Sequence, residues 1–439
     1  MSNKPNNPFA SFMKTASKIE ENELRSVLLA FAFVFTLMAA WYILRPVRDA
    51  MASDWSDTEV SFLWNINFFA SAAVVALYGF AVSRVNFKWL VPGVYGFFAL
   101  TFIGFYFGVA MLDDRDLIDK IFYVWVSVFS LFHISVFWSF MSDLFTKEQS
   151  NRLFAFIAAG SSAGALVGPL IPALFAENLG VDMLMLIAAV TLLIPIGIVL
   201  YLEKLKVSDL HNEDVHADLS AAKIGGNPFS GFKEFVSNPY LLAIGVFILL
   251  YTAIGSFVYF EQKNLLAEYT REERTEILAI VDWVVNILTF AIGMFATSRI
   301  VSRFGMPVTL ALVPFFIAAG LIILAFAPIL IVVLALQVAR RAGNYAITRP
   351  AREMLFTAVD RETRFKAKPV IDIVVYRGGD AISSIAFAGL TEGVGLGLGA
   401  MAAIGAGISA AWGAVGLYLG KMFEKMGGDT DKAGGQEKG

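Results

Sequence analysis

The chain has 439 residues, 57% of them hydrophobic and 16% charged, with a mean hydropathy of +0.67. Soluble domains carry about 25% charged residues, so a soluble enzyme, a secreted disulfide scaffold and a nucleic-acid module are excluded as the main reading. The formal charge of −3 says little about partners, the lack of Cys removes disulfides and thiolate metal sites, and three His argue against a multi-His metal centre.

Residues 1–23 form a polar segment without the apolar core or cleavage site of a secretory signal. Phe9, Phe12, Met13, Ala16 and Ile19 recur at helical spacing opposite Lys14 and Lys18. That pattern suits a short helix in the membrane interface as well as it suits a frayed terminus. Twelve apolar blocks follow, each near the roughly 20 residues that cross a hydrocarbon core of about 30 Å. The first six cover 24–44, 60–82, 89–111, 117–141, 153–176 and 183–202. The second six cover 240–260, 276–298, 307–327, 329–348, 370–391 and 396–419. These runs are continuous, not alternating, so helices are expected instead of barrel strands.

Ionisable groups inside a span cost at least about 2.5–3.5 kcal/mol at its centre and persist where they face protein, water or a solute. Span one ends on Arg45, Pro46, Arg48 and Asp49. Its arginines could draw an anion, with Asp49 partly neutralising them. His133 in span four reads better as a hydrogen-bonded packing residue than as a proton relay. Span five holds Gly160, Gly164 and Gly168 at four-residue spacing, which lets helices touch backbone to backbone. Asp282 in span eight could couple a proton to a solute or pair with an arginine of span ten or eleven. Arg340 and Arg341 lie well inside span ten, about 100° apart around the helix. Either one of them binds an anionic group, since a guanidinium takes carboxylate or phosphate oxygens in pairs, or both pair with acids of neighbouring helices for packing. Span eleven carries Asp372, Arg377 and Asp380. Arg377 and Asp380 are three apart and are expected to form an internal ion pair. The many glycines of span twelve mark a packing helix.

Lys and Arg gather in the loops on the side of the N-terminus, above all in Arg349–Lys368, so both termini are expected in the cytoplasm. The polar connection 203–238 separates a bundle at 24–202 from one at 239–420, and the Gly-rich tail 421–439 is expected to be disordered. The halves echo each other. Asp143-Leu-Phe-Thr146 with Arg152-Leu-Phe after span four corresponds to Met354-Leu-Phe-Thr357 with Arg364-Phe after span ten.

Two pseudo-symmetric six-helix bundles in an all-α integral membrane protein resemble the major facilitator architecture, whose solute site is near the midplane. The superfamily's loop motif between spans two and three is only weakly matched, by Gly79 to Lys88. Three stretches resemble the bacterial ATP/ADP translocase (nucleotide transporter) family. They are Tyr42-Ile-Leu-Arg45-Pro-Val-Arg48-Asp49, Ser142-Asp143 through Gly160, and Arg349-Pro-Ala-Arg352-Glu353 through Asp380. The resemblance implies membership of that family and leaves a nucleotide as one candidate cargo, since the nucleotide-contacting residues are not matched one by one.

No P-loop, dinucleotide fingerprint, catalytic triad or metal motif is present, so neither an enzyme nor a cofactor is expected. The expectation is a monomeric secondary carrier of the bacterial inner membrane. It would move an organic anion, such as a nucleotide or other phosphorylated metabolite, by alternating access, with protons as a candidate coupling ion. Substrate contact is expected from Arg45, Arg340, Arg341 and Arg377, and coupling from Asp282 and Asp380. Asp143 with Arg152, and Glu353 with Arg364, are expected as cytoplasmic latches. The alternatives are a proton-coupled efflux carrier for amphipathic or cationic compounds and a membrane partner protein that does not transport.

Overall fold

The computed structural model describes residues 19–82, 87–111, 114–212, 230–295, 297–359, 367–368 and 370–436, and every regular element among them is helical. The first half contains α1 (Leu24–Met51), α2 (Asp57–Val82), α3 (Phe87–Met111), α4 (Arg115–Leu144), α5 (Lys147–Val167), α6 (Leu170–Leu179), α7 (Val181–Thr191) and α8 (Ile194–Ser208). The second half contains α9 (Ser230–Ser237), α10 (Pro239–Leu266), α11 (Arg271–Phe295), α12 (Thr297–Phe326), α13 (Leu330–Gly343), α14 (Arg349–Leu355), α15 (Tyr376–Ala388) and α16 (Leu398–Gln436). Residues 1–18, where an interfacial helix or a frayed terminus is expected, residues 83–86 and residues 213–229 of the connection lie outside the described residues.

Local chemistry sets the boundaries. Asp114 accepts from Leu117 N at 3.0 Å to start α4. Thr146 and Gln149 form a reciprocal capping box at α5. The Asn238 side chain accepts from Tyr240 N, with Pro239 at the first helical position of α10. Pro169 separates α5 from α6 because it lacks the N–H that would continue the ladder. Gly305, at φ 74°, breaks α12 sharply just before Pro307, a conformation an L side chain resists.

Ten stretches among the described residues are long and apolar enough to cross a membrane. Expected spans two and eleven are helical as well. Span two is α2, of 26 residues. Span eleven is composite: a π-helical turn at Val370–Val375, then α15, then a second π-helical turn at Gly389–Gly393. A further π-helical turn, Asn344–Thr348, follows α13 directly below its two arginines. Such turns insert a residue into the ladder and are frequent at functional sites.

The chain forms two compact units. The first comprises 1–51, 69–221 and 270–283, and the second 52–68, 222–269 and 284–439. The boundaries thus depart from the expected bundles at 24–202 and 239–420. The first turns of α2 belong with second-half helices, and those of α11 belong with first-half helices.

In the first unit the glycine stripe of α5 lies on the backbone of α1. A Cβ on Gly160 would come within 2.5 Å of Phe31 O, and one on Gly168 within 2.8 Å of Ala39 O; one on Gly164 would overlap Phe35 O. The expected small-residue contact is therefore real. In the second unit α16 packs along α12 in the same way, with Gly399 against Ala325 O and Gly416 against Leu310 O. Trp412, Phe247 and Tyr251 fill the space beside it. The sequence leads one to expect disorder from Lys421, yet α16 continues to Gln436. Its extension is anchored where Glu424 Oε1 accepts from Met306 N at 3.2 Å, and a nucleated helix propagates readily.

Candidate functional site

Two arginine clusters stand out, one in each unit. In the first unit Arg45 of α1 lies 3.3 Å from Asp282 of α11 and 3.7 Å from Asp49 one turn on. Arg48 donates to Asp49 at 2.6 Å and to Ser127 Oγ at 3.2 Å, and stands over the rings of Trp41 and Tyr123. Asp282 is buried and has an arginine of span one, Arg45, beside it, a partner the sequence did not suggest. The reason is that the start of α11 belongs to the first unit, where Arg271 also donates to Asp119 at 2.7 Å. His133 is a packing residue, with Nδ1 2.9 Å from Ser130 O and its ring stacked on Trp41.

The second unit gathers Tyr251 of α10, Gln337 and Arg340 of α13, and Tyr376, Arg377 and Asp380 of α15. Arg340 is buried. Its Nε and Nη2 donate to Gln337 Oε1 at 3.1 and 2.7 Å, and its guanidinium carbon lies 5.9 Å from the Tyr251 ring centroid. Among the described residues no carboxylate stands within 4.0 Å of it. Gly255 makes room for Nη1, which would be 3.2 Å from a Cβ there. Tyr251 faces Tyr376 at 6.1 Å between ring centroids. Gly379 lets α15 approach α10 so closely that a Cβ would overlap Thr252 Oγ1.

Asp380 lies within electrostatic reach of Arg377 and Arg340 alike. The expected Arg377–Asp380 ion pair is not formed among the described residues. The three-residue spacing brings the charges near each other without closing a bond. Arg341 is buried, about 100° further around α13. The side chain of Asp372 lies outside the described residues.

The latch residues have the following partners among the described residues. Asp143 accepts from Lys206 Nζ at 2.9 Å, and Arg152 donates to Glu23 at 2.7 and 3.1 Å. Arg152 faces back along α5 toward the buried Glu23 ahead of α1, while α8 brings Lys206 to the end of α4. Glu353 pairs with Lys368 at 2.5 Å; Arg364 lies outside the described residues.

A third constellation escaped the sequence reading. Asp57, at the start of α2, accepts from Lys263 Nζ at 2.7 Å, Thr391 Oγ1 at 2.8 Å and Asn264 Nδ2 at 3.3 Å. Lys263 Nζ also donates to Trp55 O at 2.7 Å. The Glu392 carboxylate accepts from Asp57 N at 2.6 Å, Thr58 N at 3.2 Å and Thr58 Oγ1, so it caps α2. All these groups belong to the second unit. The signal available in sequence was the Glu261-Gln262-Lys263 run, which lies just beyond the expected end of span seven.

Apolar helices in this number define a multi-pass membrane protein. The Major Facilitator Superfamily pattern matches residues 29–354, and the chain belongs to that superfamily. No curated protein sequence matches it.

Among solved structures, a bacterial metal transporter is similar over 91% of this chain and 99% of its own, at 14% identity and TM-score 0.60. The nucleoside transporter NupG is similar over 93% of this chain and 99% of its own, at 13% identity and TM-score 0.56. A bacterial homolog of the human lysosomal transporter Spinster, inward-facing and unoccupied, is similar over 93% and 97%, at 16% identity and TM-score 0.55. At these identities the likeness speaks for the fold.

Proposed function

We propose that the chain is a secondary carrier for an organic anion, with a nucleotide or other phosphorylated metabolite as the leading cargo. It works by alternating access in the bacterial inner membrane, with both termini cytoplasmic. The observation that carries the reading is Arg340: a buried guanidinium steadied by a neutral amide and an aromatic face, with no carboxylate beside it among the described residues. A buried cation is costly in lipid unless something neutralises it, and an incoming anion would do so. Two donors on one face of a guanidinium match two oxygens of a phosphate or carboxylate.

Arg377 contributes a second positive charge beside Arg340, and Asp380 returns one negative charge. Asp380 is then the coupling or release group of this cluster. Arg341, next on α13, is the second candidate for anion contact. Arg45 is engaged by Asp49 and Asp282, and we assign this group to fold integrity. The pairs Lys206–Asp143, Arg152–Glu23 and Lys368–Glu353 serve as latches on the cytoplasmic side. The resemblance of the Arg45, Asp143 and Arg349–Asp380 stretches to nucleotide translocases supports the cargo class.

A thermal-shift screen of the purified carrier in lipid nanodiscs tests the reading against nucleotides, sugar phosphates, dicarboxylates and cationic amphiphiles. The expected result is stabilisation by one of the anion classes, lost in Arg340→Gln. Stabilisation by cationic amphiphiles alone would establish the efflux alternative instead.

A further inference from the structure

The outer end of α10 holds a carboxyl that none of the above uses. Glu261 is fully buried, at 0% exposure, and neither of its side-chain oxygens has a hydrogen-bond partner. Gln262, next to it, is also buried with its Oε1 unpartnered. At the preceding residue, Phe260 stacks on Phe387 and packs against Trp64.

The charged groups near this level do not help an ionised Glu261. Asp57 is near enough to act on it, and it is negative. Lys263 is two residues on, about 200° around the helix, and its ammonium is already shared by Asp57 Oδ1 and Trp55 O. Glu392 and Asp54 add further negative charge, and both are exposed. Arg340 stands at Gly255, nearly two turns back, and donates to Gln337. α16 carries no charged residue before Lys421. An ionised carboxylate without a hydrogen bond in such a place carries a desolvation cost of several kcal/mol. The neutral acid costs far less.

We propose that Glu261 is a proton-carrying group of the transport cycle, protonated while Asp57 is clasped by Lys263 and Thr391 and ionised when that clasp opens. Opening admits water, the Glu261 O–H bond breaks, and the proton passes to that water. Reclosing requires a proton from the same side, because the closed clasp accepts Glu261 only in its neutral form. The cycle is thereby tied to one proton at this position, separately from the Arg340 cluster. Gln262 beside it supplies an amide that can bond the ionised carboxylate's hydration shell once open.

The inference rests on the carrier reading but not on an anionic cargo, and its test needs no cargo. Infrared spectra of the carrier in nanodiscs at neutral pH are expected to show a protonated-carboxyl band that disappears in Glu261→Gln. The chain has no Cys, so Ser53→Cys, at a buried position beside the clasp, gives a single reporter thiol. In lipid vesicles its labelling by a membrane-impermeant thiosulfonate is expected to rise severalfold from mildly acid to mildly alkaline buffer. In the Glu261→Gln background it is expected to stay at the acid level throughout.

An identical carboxyl band in Glu261→Gln, or the same alkaline rise in labelling, would overturn the proposal. So would labelling that follows sodium concentration at constant pH, which would assign the group to a metal cation. Glu261→Met is predicted to behave as Glu261→Gln, which separates loss of the proton from damage to the fold. If the cargo screen fails while both readouts behave as expected, only the anion reading is lost.

Discussion

Arg45, half-buried, and Arg340, buried, are the same residue type in apolar helices, yet their surroundings differ in kind. Arg45 has two carboxylates within 4 Å, at 3.3 Å from Asp282 and 3.7 Å from Asp49. Arg340 has an amide oxygen at 2.7 Å and an aromatic face. A guanidinium already neutralised holds helices in place, and removing its partner strands a charge. One steadied by neutral groups keeps its electrostatic demand, and that demand can be met by a solute. The contrast separates a structural arginine from a binding one without reference to cargo.

Four substitutions test the contrast, from the largest expected effect to the smallest. Arg45→Leu takes away the cation 3.3 Å from the buried Asp282, and is expected to cost about 3–5 kcal/mol of stability, the range for breaking one side of a buried pair. Denaturation in lipid-like detergent reads it, and adding Asp282→Asn should recover most of the loss. Arg340→Leu breaks no carboxylate contact within 4.0 Å among the described residues and leaves Arg377 near Asp380, so its melting temperature should fall far less than that of Arg45→Leu, while stabilisation by the anion vanishes. A large loss of stability there would erase the distinction between the two arginines.

Gln337→Met removes the amide that orients Arg340. A hydrogen bond to a charged group is worth about 1.5–3 kcal/mol, so anion affinity should fall by roughly tenfold or more, with little change in melting temperature. Equilibrium titration of the purified variant reads this. Gly255→Ala is the mildest. Its new methyl would sit 3.2 Å from Arg340 Nη1, the end of a flexible side chain that can yield. A reduction in affinity of a few-fold is expected. Unchanged affinity in both Gln337→Met and Gly255→Ala would mean that the Arg340 pose is irrelevant to binding.

Hydropathy alone located the helices, because a lipid-crossing segment must satisfy its own backbone and therefore reads as one apolar run. The Gly160, Gly164 and Gly168 stripe was equally legible, since close backbone approach admits only small residues. Partner choice was not. Asp282 meets Arg45 because the first turns of α11 join the first unit, a crossover no local pattern records. Asp143 and Arg152 look like a pair by position in the repeat, while Lys206 of α8 stands at Asp143 and Glu23, just before α1, stands at Arg152. Arg377 and Asp380 show the reverse failure: helical spacing predicts proximity, and proximity is not a closed ion pair. Glu261 was hidden by one residue, lying just past Phe260, where the apolar run gives way to polar residues although the helix and its burial continue to Leu266.

The most direct test of the central claim is equilibrium binding of the anion that stabilises the carrier, measured on Arg340→Gln and on the double variant Arg45→Gln/Asp282→Asn side by side. The account predicts that binding is lost in the first and retained within a few-fold in the second. Retained binding in Arg340→Gln together with loss in the double variant would contradict it and move the anion site to the cluster around Arg45.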